Sequence, residues 1–236
     1  MNATYFDVRT YEKIVKNTNK ADDNKLIALY KILSPAHLLK QAFINDSNSL
    51  NTRFYTELLH IIGLEEIKEG GKKLIKRKLK PDEASLMENT IMKLEDKEAL
   101  RNITNLSAFG TTQPEQLFNV ALELCITRIN RILFIKLLEA QLYKFHRRND
   151  DYLFLNSKTI FDFDELSNLF FQVLAEKPAN RRKHIQEKYC RVPYLNSSLF
   201  ERIDLERQTI NVSDLDNRLQ LPIINSTVLK LDKGKR

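Results

Sequence analysis

The sequence predicts a mainly α-helical protein, a multi-helix bundle packed around one long buried central helix at about residues 114–148. Apolar residues recur at three- and four-residue spacing along most of the chain, which is the period of helices with one buried face. Only five of the 236 residues are glycine, too few for the Gly-rich turns that cradle nucleotides in α/β domains. Apolar side chains surround nearly the whole circumference of the 114–148 segment, which indicates a helix buried on most sides.

Helices separated by polar loops are predicted for the N-terminal half. The apolar spacing places one helix at 22–33, a second after Ser34-Pro35, a third from Phe54 to Ile62 and a fourth following Pro81. Gly63 stands where the C-terminal cap of the third helix belongs, because glycine adopts the left-handed backbone that ends many helices.

A short β-hairpin is predicted near residues 65–78. The paired glycines Gly70 and Gly71 permit the positive φ of a tight turn between two arms. The second arm, at 72–78, is strongly basic. Since a loop accommodates the same residues, the sequence alone leaves 64–80 open between hairpin and loop.

Shorter elements and a loosely structured C-terminal tail are predicted beyond the central helix. Asp162 begins a helix that Pro178 ends. The remaining assignments are a short basic helix at 181–188, a strand at 209–212 and an extended tail at 221–236. We expect two parts that pack as one compact unit: a helical subdomain with the hairpin at 4–113, and the central helix with the C-terminal helices and tail at 114–236.

Composition predicts a cytoplasmic protein with no membrane partner. No stretch approaches the ~20 consecutive apolar residues that span a bilayer, and the N-terminus lacks a signal-peptide pattern. The two cysteines, Cys125 and Cys190, lack metal-ligand spacing. We expect both to be free thiols, with Cys125 in the core.

No complete catalytic, metal or cofactor site is predicted. A nuclease of the PD-(D/E)xK type needs a further acidic residue beside its acid-x-Lys half to hold Mg²⁺, and neither Glu66-Ile67-Lys68 nor Glu95-Asp96-Lys97 follows a Pro-Asp on a plausible strand. The four histidines stand alone, and no P-loop or GxSxG elbow occurs. A stand-alone nuclease using Glu66 and Lys68 remains one hypothesis, and unchanged Mg²⁺-dependent cleavage by Glu66→Ala would reject it.

The formal net charge of +7 favours a polyanionic partner. We predict that clustered basic side chains contact double-stranded DNA through its phosphates, the main source of sequence-independent affinity for DNA. Solvated surface charge is the alternative for each cluster. Few aromatic residues interleave with the clusters, which argues against a platform for stacking single-stranded bases. The DNA-backbone candidates are Lys72, Lys73, Lys76, Arg77, Lys78, Arg147, Arg148, Arg181, Arg182 and Lys183.

Polar residues of the central helix fall into two sets. Glu123, Asn130 and Gln141 lie within about 20° of one another at ~100° per residue. We expect them to be buried and hydrogen-bonded to neighbouring helices, since unpaired buried polar groups are costly, and a ligand-binding stripe is the alternative. The second set, expected to form internal pairs rather than a phosphate clamp, consists of Arg128, Arg131 and Glu139.

Five stretches carry a family resemblance. They are Asn24–Ser34 (NKLIALYKILS), His60–Ile75 (HIIGLEEIKEGGKKLI), Leu117–Leu142 (LFNVALELCITRINRILFIKLLEAQL), Leu169–Ala175 (LFFQVLA) and Val192–Glu201 (VPYLNSSLFE). These stretches resemble the central helical region of single-chain type IIG (type IIS-like) restriction–modification enzymes. Such enzymes join an N-terminal Mg²⁺-dependent nuclease, a helical connector, an S-adenosylmethionine-dependent adenine methyltransferase and a target-recognition domain.

The resemblance implies a connector that follows the nuclease and precedes the methyltransferase core. No catalytic or cofactor residue of that family carries over to a position here, so S-adenosylmethionine and Mg²⁺ are implied only for the parent enzyme. The expected role is to hold the flanking nuclease and methyltransferase domains apart and to contact the DNA backbone. The competing hypothesis is a protein–protein docking module without DNA contact, whose binding would not weaken steeply with salt.

Overall fold

The computed structural model describes residues 52–222 together with Arg9 and Glu12. The chain divides into two compact units, Met1–Asn51 and Thr52–Arg236. The helices predicted at 22–33 and after Ser34-Pro35 lie outside the described residues, as does the tail beyond residue 222. The predicted boundary at 113/114 falls inside the second unit, where the helices on either side of it pack against each other.

Helices dominate the described part of the second unit, which confirms the predicted fold class. In chain order its elements are α1 (Thr52–Ile62), β1 (Leu64–Glu69), β2 (Lys72–Arg77), α2 (Leu86–Asp96), α3 (Gln113–Phe145), α4 (Phe163–Asn168), α5 (Lys183–Lys188) and α6 (Asp204–Gln208). A π-helix, Leu169–Leu174, continues α4 directly, and short 3₁₀ turns connect the other elements. Among these described helices, none combines the length and the apolar character that crossing a bilayer requires.

The long central helix α3 is confirmed, and its ends follow from local sequence. The Thr112 side chain accepts a hydrogen bond from the backbone N–H of Glu115, Pro114 lies in the first turn, and Lys144 lies in the last. Its 33 residues make a rod of about 50 Å at ~1.5 Å per residue.

Burial of α3 is one-sided, which differs from the burial on most sides that its apolar circumference predicts. The buried stripe consists of Leu117, Val120, Ala121, Leu124, Cys125, Arg128, Arg131, Ile135 and Glu139. Ile126, Leu133 and Leu137 face solvent on the other side. The predicted buried polar stripe is also wrong, because Glu123, Asn130 and Gln141 lie on the exposed side. The buried polar groups of this helix are its two arginines and one glutamate.

Arg131 joins α3 to the C-terminal segments through a fully buried ion pair. Its guanidinium binds both carboxylate oxygens of Glu206 at 2.5 and 2.8 Å, and neither side chain is exposed. Nε and Nη2 donate to the carbonyls of Leu199 and Glu201, each at 2.7 Å. The Phe171 ring lies 5.1 Å from the guanidinium carbon. This buried cation therefore meets four acceptors and an aromatic ring.

Arg128, one turn before Arg131, joins α3 to α2. Its Nη1 donates to the Thr90 hydroxyl at 2.8 Å and its Nη2 reaches the Ile210 carbonyl at 3.4 Å. Nε has no hydrogen-bond partner in the described part of the chain, and burial lowers the pKa of this arginine. Cys125 lies in the core as predicted, 3.7 Å from Thr90, and burial raises the pKa of its thiol to about 11.

Glu139, the third buried polar group, binds neither arginine. It accepts hydrogen bonds from the Leu155 backbone N–H at 2.6 Å and from Lys136. The expectation of internal pairing is therefore confirmed for Arg131, which pairs with Glu206, and for Glu139, which pairs with Lys136, whereas Arg128 donates to neutral groups.

The strand predicted at 209–212 is wrong. Ile210 and Val212 are both buried with Asn211 between them, so the alternation that predicts a strand is present. No neighbouring strand supplies hydrogen bonds within residues 52–222. Instead the Ile210 carbonyl accepts from Arg128, and the Asp214 carboxylate accepts from the Asn211 N–H at 2.8 Å and closes a 3₁₀ turn.

Replacing Glu206 with alanine should lower the free energy of unfolding by about 3–5 kcal/mol, because Arg131 would remain buried without a counter-charge. Urea denaturation of the full chain measures the change. The matched control is Asp204→Ala on the same helix, whose exposed pair with Arg207 (3.2 Å) should contribute less than about 1 kcal/mol. Equal losses in the two variants would contradict this role for the buried pair.

Candidate nucleic-acid interface

The predicted hairpin is confirmed, and its two glycines explain its turn. β1 pairs antiparallel with β2 in a register that sets Leu64 opposite Arg77. Gly70 and Gly71 have φ values of 57° and 79°, as a two-residue type I′ turn requires. Every residue of β2 is exposed, so solvent reaches all the cations of this strand.

Carboxylates neutralise three of the five candidate cations on the hairpin. The pairs are Lys73 with Glu66 at 2.8 Å, Lys76 with Glu69 at 2.6 Å, and Arg77 with both oxygens of Glu88 at 2.7 and 2.5 Å. Hydrogen bonds from Lys73 and Lys76 lower the pKa values of the glutamates they bind. Lys72, on the same strand, is exposed and has no carboxylate partner among the residues described.

Lys78, the remaining hairpin candidate, is bound to a histidine beside a cleft of about 410 Å³ between α1 and the hairpin. Its Nζ donates to His60 Nδ1 at 2.8 Å, and His60 Nε2 donates to the Pro222 carbonyl at 2.7 Å. Since an ammonium only donates and a carbonyl only accepts, the ring proton of His60 lies on Nε2. The charged side chains that line the cleft are two glutamates and two lysines, a balance with no preference for phosphate: Glu65, Glu66, Lys73 and Lys78.

The glutamate of the acid-x-Lys pattern on β1 is bound by a lysine and a tyrosine. Glu66 and Lys68 share one face of the strand, as the pattern requires. The Glu66 carboxylate is bound by Lys73 and by the Tyr55 hydroxyl, the latter at 3.3 Å. Across the part of the chain that the structure describes, no three His, Cys, Asp or Glu side chains are placed to hold a metal ion.

Arg181 is a correction to the predicted DNA contacts, because it is buried inside the protein. Its guanidinium donates to the carbonyls of Val173 at 2.8 Å, Val192 at 3.0 Å and Glu176 at 3.2 Å. A π-helix leaves its last carbonyls without helical partners, and Arg181 supplies donors for this end. Burial also lowers the pKa of the arginine. With its donors committed to the backbone, Arg181 is not available to phosphate.

Its neighbours Arg182 and Lys183 remain exposed where α5 begins. No side-chain hydrogen bond or ion pair engages either of them within residues 52–222. The chain thus turns one cation of this cluster inward and leaves two for solvent or an anionic partner.

Arg147 and Arg148 follow the C-terminal end of α3 in a strained backbone conformation. Both have positive φ, 57° and 63°, a region that costs residues with a Cβ about 1–2 kcal/mol. The Arg148 N–H donates to the Tyr143 carbonyl at 2.8 Å, the bond that closes a Schellman motif, in which glycine normally occupies the position of Arg147. Both arginines are exposed and lack a carboxylate partner among the described residues.

Aromatic side chains surround this helix end, although the sequence indicates little aromatic interleaving. His146 stacks on Tyr152 with ring centroids 3.8 Å apart and planes 4° apart, and Phe145 meets His146 edge-on at 5.2 Å. Arg191 lies over the Tyr152 ring at 5.7 Å. Sequence reasoning missed Tyr152 and Arg191. Tyr152 reaches His146 through the turn that follows α3, and Arg191 contacts Tyr152 from 39 residues further along the chain. The one signal of this cluster in the sequence was a tyrosine a few residues after a helix end with two arginines.

The exposed cations without a carboxylate partner form three groups on separate elements. Lys72 lies on β2, Arg147 and Arg148 follow α3, and Arg182 and Lys183 lie where α5 begins. Arg77 ties the hairpin to Glu88 on α2, and α2 packs along α3 where Thr90 meets Cys125 and Arg128. The pair Arg147–Arg148 lies beyond the C-terminal end of α3, about 30 Å along the rod at ~1.5 Å per residue. Arg182 and Lys183 lie beside the end of the π-helix.

Replacing Arg181 with methionine should lower the free energy of unfolding by about 3 kcal/mol, since the change leaves buried carbonyls without donors. Thermal or urea denaturation measures the loss. Arg182→Met is the matched control, and it should stay within about 0.5 kcal/mol of the unchanged chain because its side chain is exposed. An unaltered stability of Arg181→Met would show that the buried contacts do not hold the π-helix.

Comparisons with known proteins identify two family models along the chain. Residues 1–46 match a family described as "Domain of unknown function (DUF7149)", and residues 47–236 match one described as "Domain of unknown function (DUF7814)". The junction between the two matches lies close to the division between the two compact units at Asn51 and Thr52. Neither a curated protein nor a solved structure matches the chain. Because the second model covers most of the 236 residues, the chain belongs to the DUF7814 family.

Proposed function

We propose that this chain is the non-catalytic helical connector of a bifunctional restriction endonuclease and adenine-specific DNA methyltransferase. In that role it positions the catalytic domains in the cytoplasm and contributes contacts to the DNA backbone. Five stretches of sequence support the proposal by their resemblance to that region, and they include most of α3 and the whole π-helix.

One observation carries the DNA contact: half of the ten candidate cations are exposed and uncommitted in the described part of the chain. These five are Lys72, Arg147, Arg148, Arg182 and Lys183. A cation already bound to a carboxylate loses that partner when it binds a phosphate, whereas these five give up only water. The positive charge available to DNA is therefore concentrated in them.

The packing of α3 suits the positioning role. Arg128 and Arg131 fix the middle of this rod to α2 and to the segment that contains Glu206. Close-packed interiors transmit displacement stiffly, so a movement at one end of α3 reaches the other with little loss.

A docking function without DNA contact is favoured by a different observation, the apolar stripe on the exposed side of α3. Ile126, Leu133 and Leu137 follow one another at spacings of seven and four residues, which keeps them on one side of the helix. Their exposed fractions are 49%, 36% and 69%. Apolar stripes of this kind mark docking surfaces, and the apolar face of a partner helix fits this one.

Fluorescence titration with a short labelled DNA duplex should show binding that weakens steeply from low to physiological salt. Each phosphate contact contributes ~0.9 to the slope of log K against log salt concentration, so replacing the five uncommitted cations with glutamine should flatten that slope by up to about 4.5. The charge-matched control replaces five exposed cations that have carboxylate partners and should keep most of the slope. It carries glutamine at Lys73, Lys76, Lys97, Arg101 and Arg207.

The two variants separate specific contacts from bulk charge. Equal flattening in both would contradict the assignment, because net charge alone would then explain the affinity. If the unchanged chain fails to bind the duplex at low salt, the DNA role is excluded and the docking function is favoured.

A further inference from the structure

We propose that the C-terminal end of α3 is a site for an unpaired DNA nucleotide, whose base stacks on Phe145 while Arg147 and Arg148 bind the adjoining phosphates. The proposal rests on the proposed function. It goes beyond that function by naming the form of DNA that the site takes, a strand whose bases have left the double helix.

The exposed ring of Phe145 is the first observation. This side chain is 82% exposed at the last residue of α3. Its contact with His146 is perpendicular, with planes at 82°, and the high exposed fraction leaves most of the phenyl ring open to solvent. A large apolar ring in water gains free energy when a flat partner covers it.

An ordered group of rings and a cation already lies beside Phe145. His146 and Tyr152 are parallel and in contact, and the Arg191 guanidinium lies over Tyr152. Arg191 is itself held by Asp151 at 2.9 Å. These contacts are present without a ligand, so a base that stacks on Phe145 meets a neighbourhood that is already partly ordered.

The backbone of Arg147 and Arg148 is the second, independent observation. Both residues occupy left-handed backbone at a position where glycine would end the helix with less strain. Strain retained in an exposed turn points to a use for the side chains that cause it. The cations of this helix end, Lys144, Arg147, Arg148 and Arg191, outnumber its carboxylates, Asp150 and Asp151.

The combination selects an unpaired strand over a duplex. In double-stranded DNA the base faces are covered by their neighbours and cannot reach an aromatic side chain. In a single strand every base offers a free face, and cations beside an aromatic ring hold the flanking phosphates. Arg147 and Arg148 alone would serve either form, so Phe145 is the residue that discriminates between them.

The test compares a 12-nucleotide single strand carrying one 2-aminopurine with a duplex of the same length whose ends are closed by non-nucleotide linkers, using the full chain. Phe145→Leu should weaken binding of the single strand about 10-fold and abolish the quenching of 2-aminopurine, with duplex affinity unchanged. The matched control is Phe161→Leu, which removes another phenyl ring that is 67% exposed and should change neither affinity.

A second variant tests Arg147 by two measurements that should change in opposite directions, the Tm and the DNA affinity. Arg147→Gly should raise the Tm, because glycine adopts the backbone of that position without strain, and should weaken binding of both DNA forms. A higher Tm with unchanged DNA binding would show that the strained arginine serves no DNA contact.

The outcomes separate this proposal from the proposed function. Single-strand affinity that Phe145→Leu leaves unchanged would overturn the stacking site, and salt-dependent duplex binding would then stand alone. A chain that binds the duplex but not the single strand would also overturn the stacking site. A chain that binds neither form would overturn both proposals.

Discussion

The buried pair of Arg131 and Glu206 determines how α3 meets the C-terminal part of the described fold. Moving a guanidinium and a carboxylate out of water costs several kcal/mol per ion, and the site offsets this cost with two ion-pair contacts, two backbone carbonyls and an aromatic face. Breaking any of these leaves a charge or a donor unsatisfied in the interior. The observed packing of the segment from Leu199 to Glu206 on α3 satisfies all of these groups together, and the π-helix that carries Phe171 contributes to the same site.

Arginine has the same role at three places in the part of the chain that the structure describes. Arg128, Arg131 and Arg181 are each buried, and each donates to carbonyls of irregular backbone. Between α3 and residue 222, the described chain forms short helices, 3₁₀ turns and one π-helix, which leave many carbonyls without helical partners. The forked guanidinium supplies several donors from one side chain, so few residues satisfy many acceptors. A basic composition thus supports the fold as well as any polyanionic partner.

The local signals of the sequence predict much of this fold. Gly70-Gly71 predicts the hairpin, Gly63 the end of α1, and Asp162 the start of α4, because each depends on residues close in the chain. The long helix is equally visible in its apolar spacing. Which side of it is buried was not predictable, since apolar residues lie nearly all round and the partner segments decide. For that reason Glu123, Asn130 and Gln141 were assigned to the wrong side.

The candidate interface was also predictable only in part, because residues distant in sequence decide which of its cations are buried or paired. Clustering of basic residues finds Arg182 and Lys183, but it cannot separate them from Arg181, whose acceptors on Val173 and Val192 come from both directions along the chain. Nor does it show that carboxylates hold Lys73 and Lys76 while Lys72 stays uncommitted. Arg191, 39 residues beyond Tyr152, belongs to the aromatic cluster only through folding. Long-range contacts therefore decide which of these cations stay exposed and without a carboxylate partner.

Lysine footprinting by mass spectrometry, with and without a DNA duplex at low salt, tests the proposed DNA contact most directly. An acylating reagent modifies exposed amines, and bound phosphate shields them. Lys72 and Lys183 should be protected by DNA, while Lys97, which is exposed but bound to Asp214 at 2.7 Å, should react at the same rate in both samples. Equal reactivity of Lys72 and Lys183 with and without bound DNA would contradict the assignment of these cations to the DNA backbone.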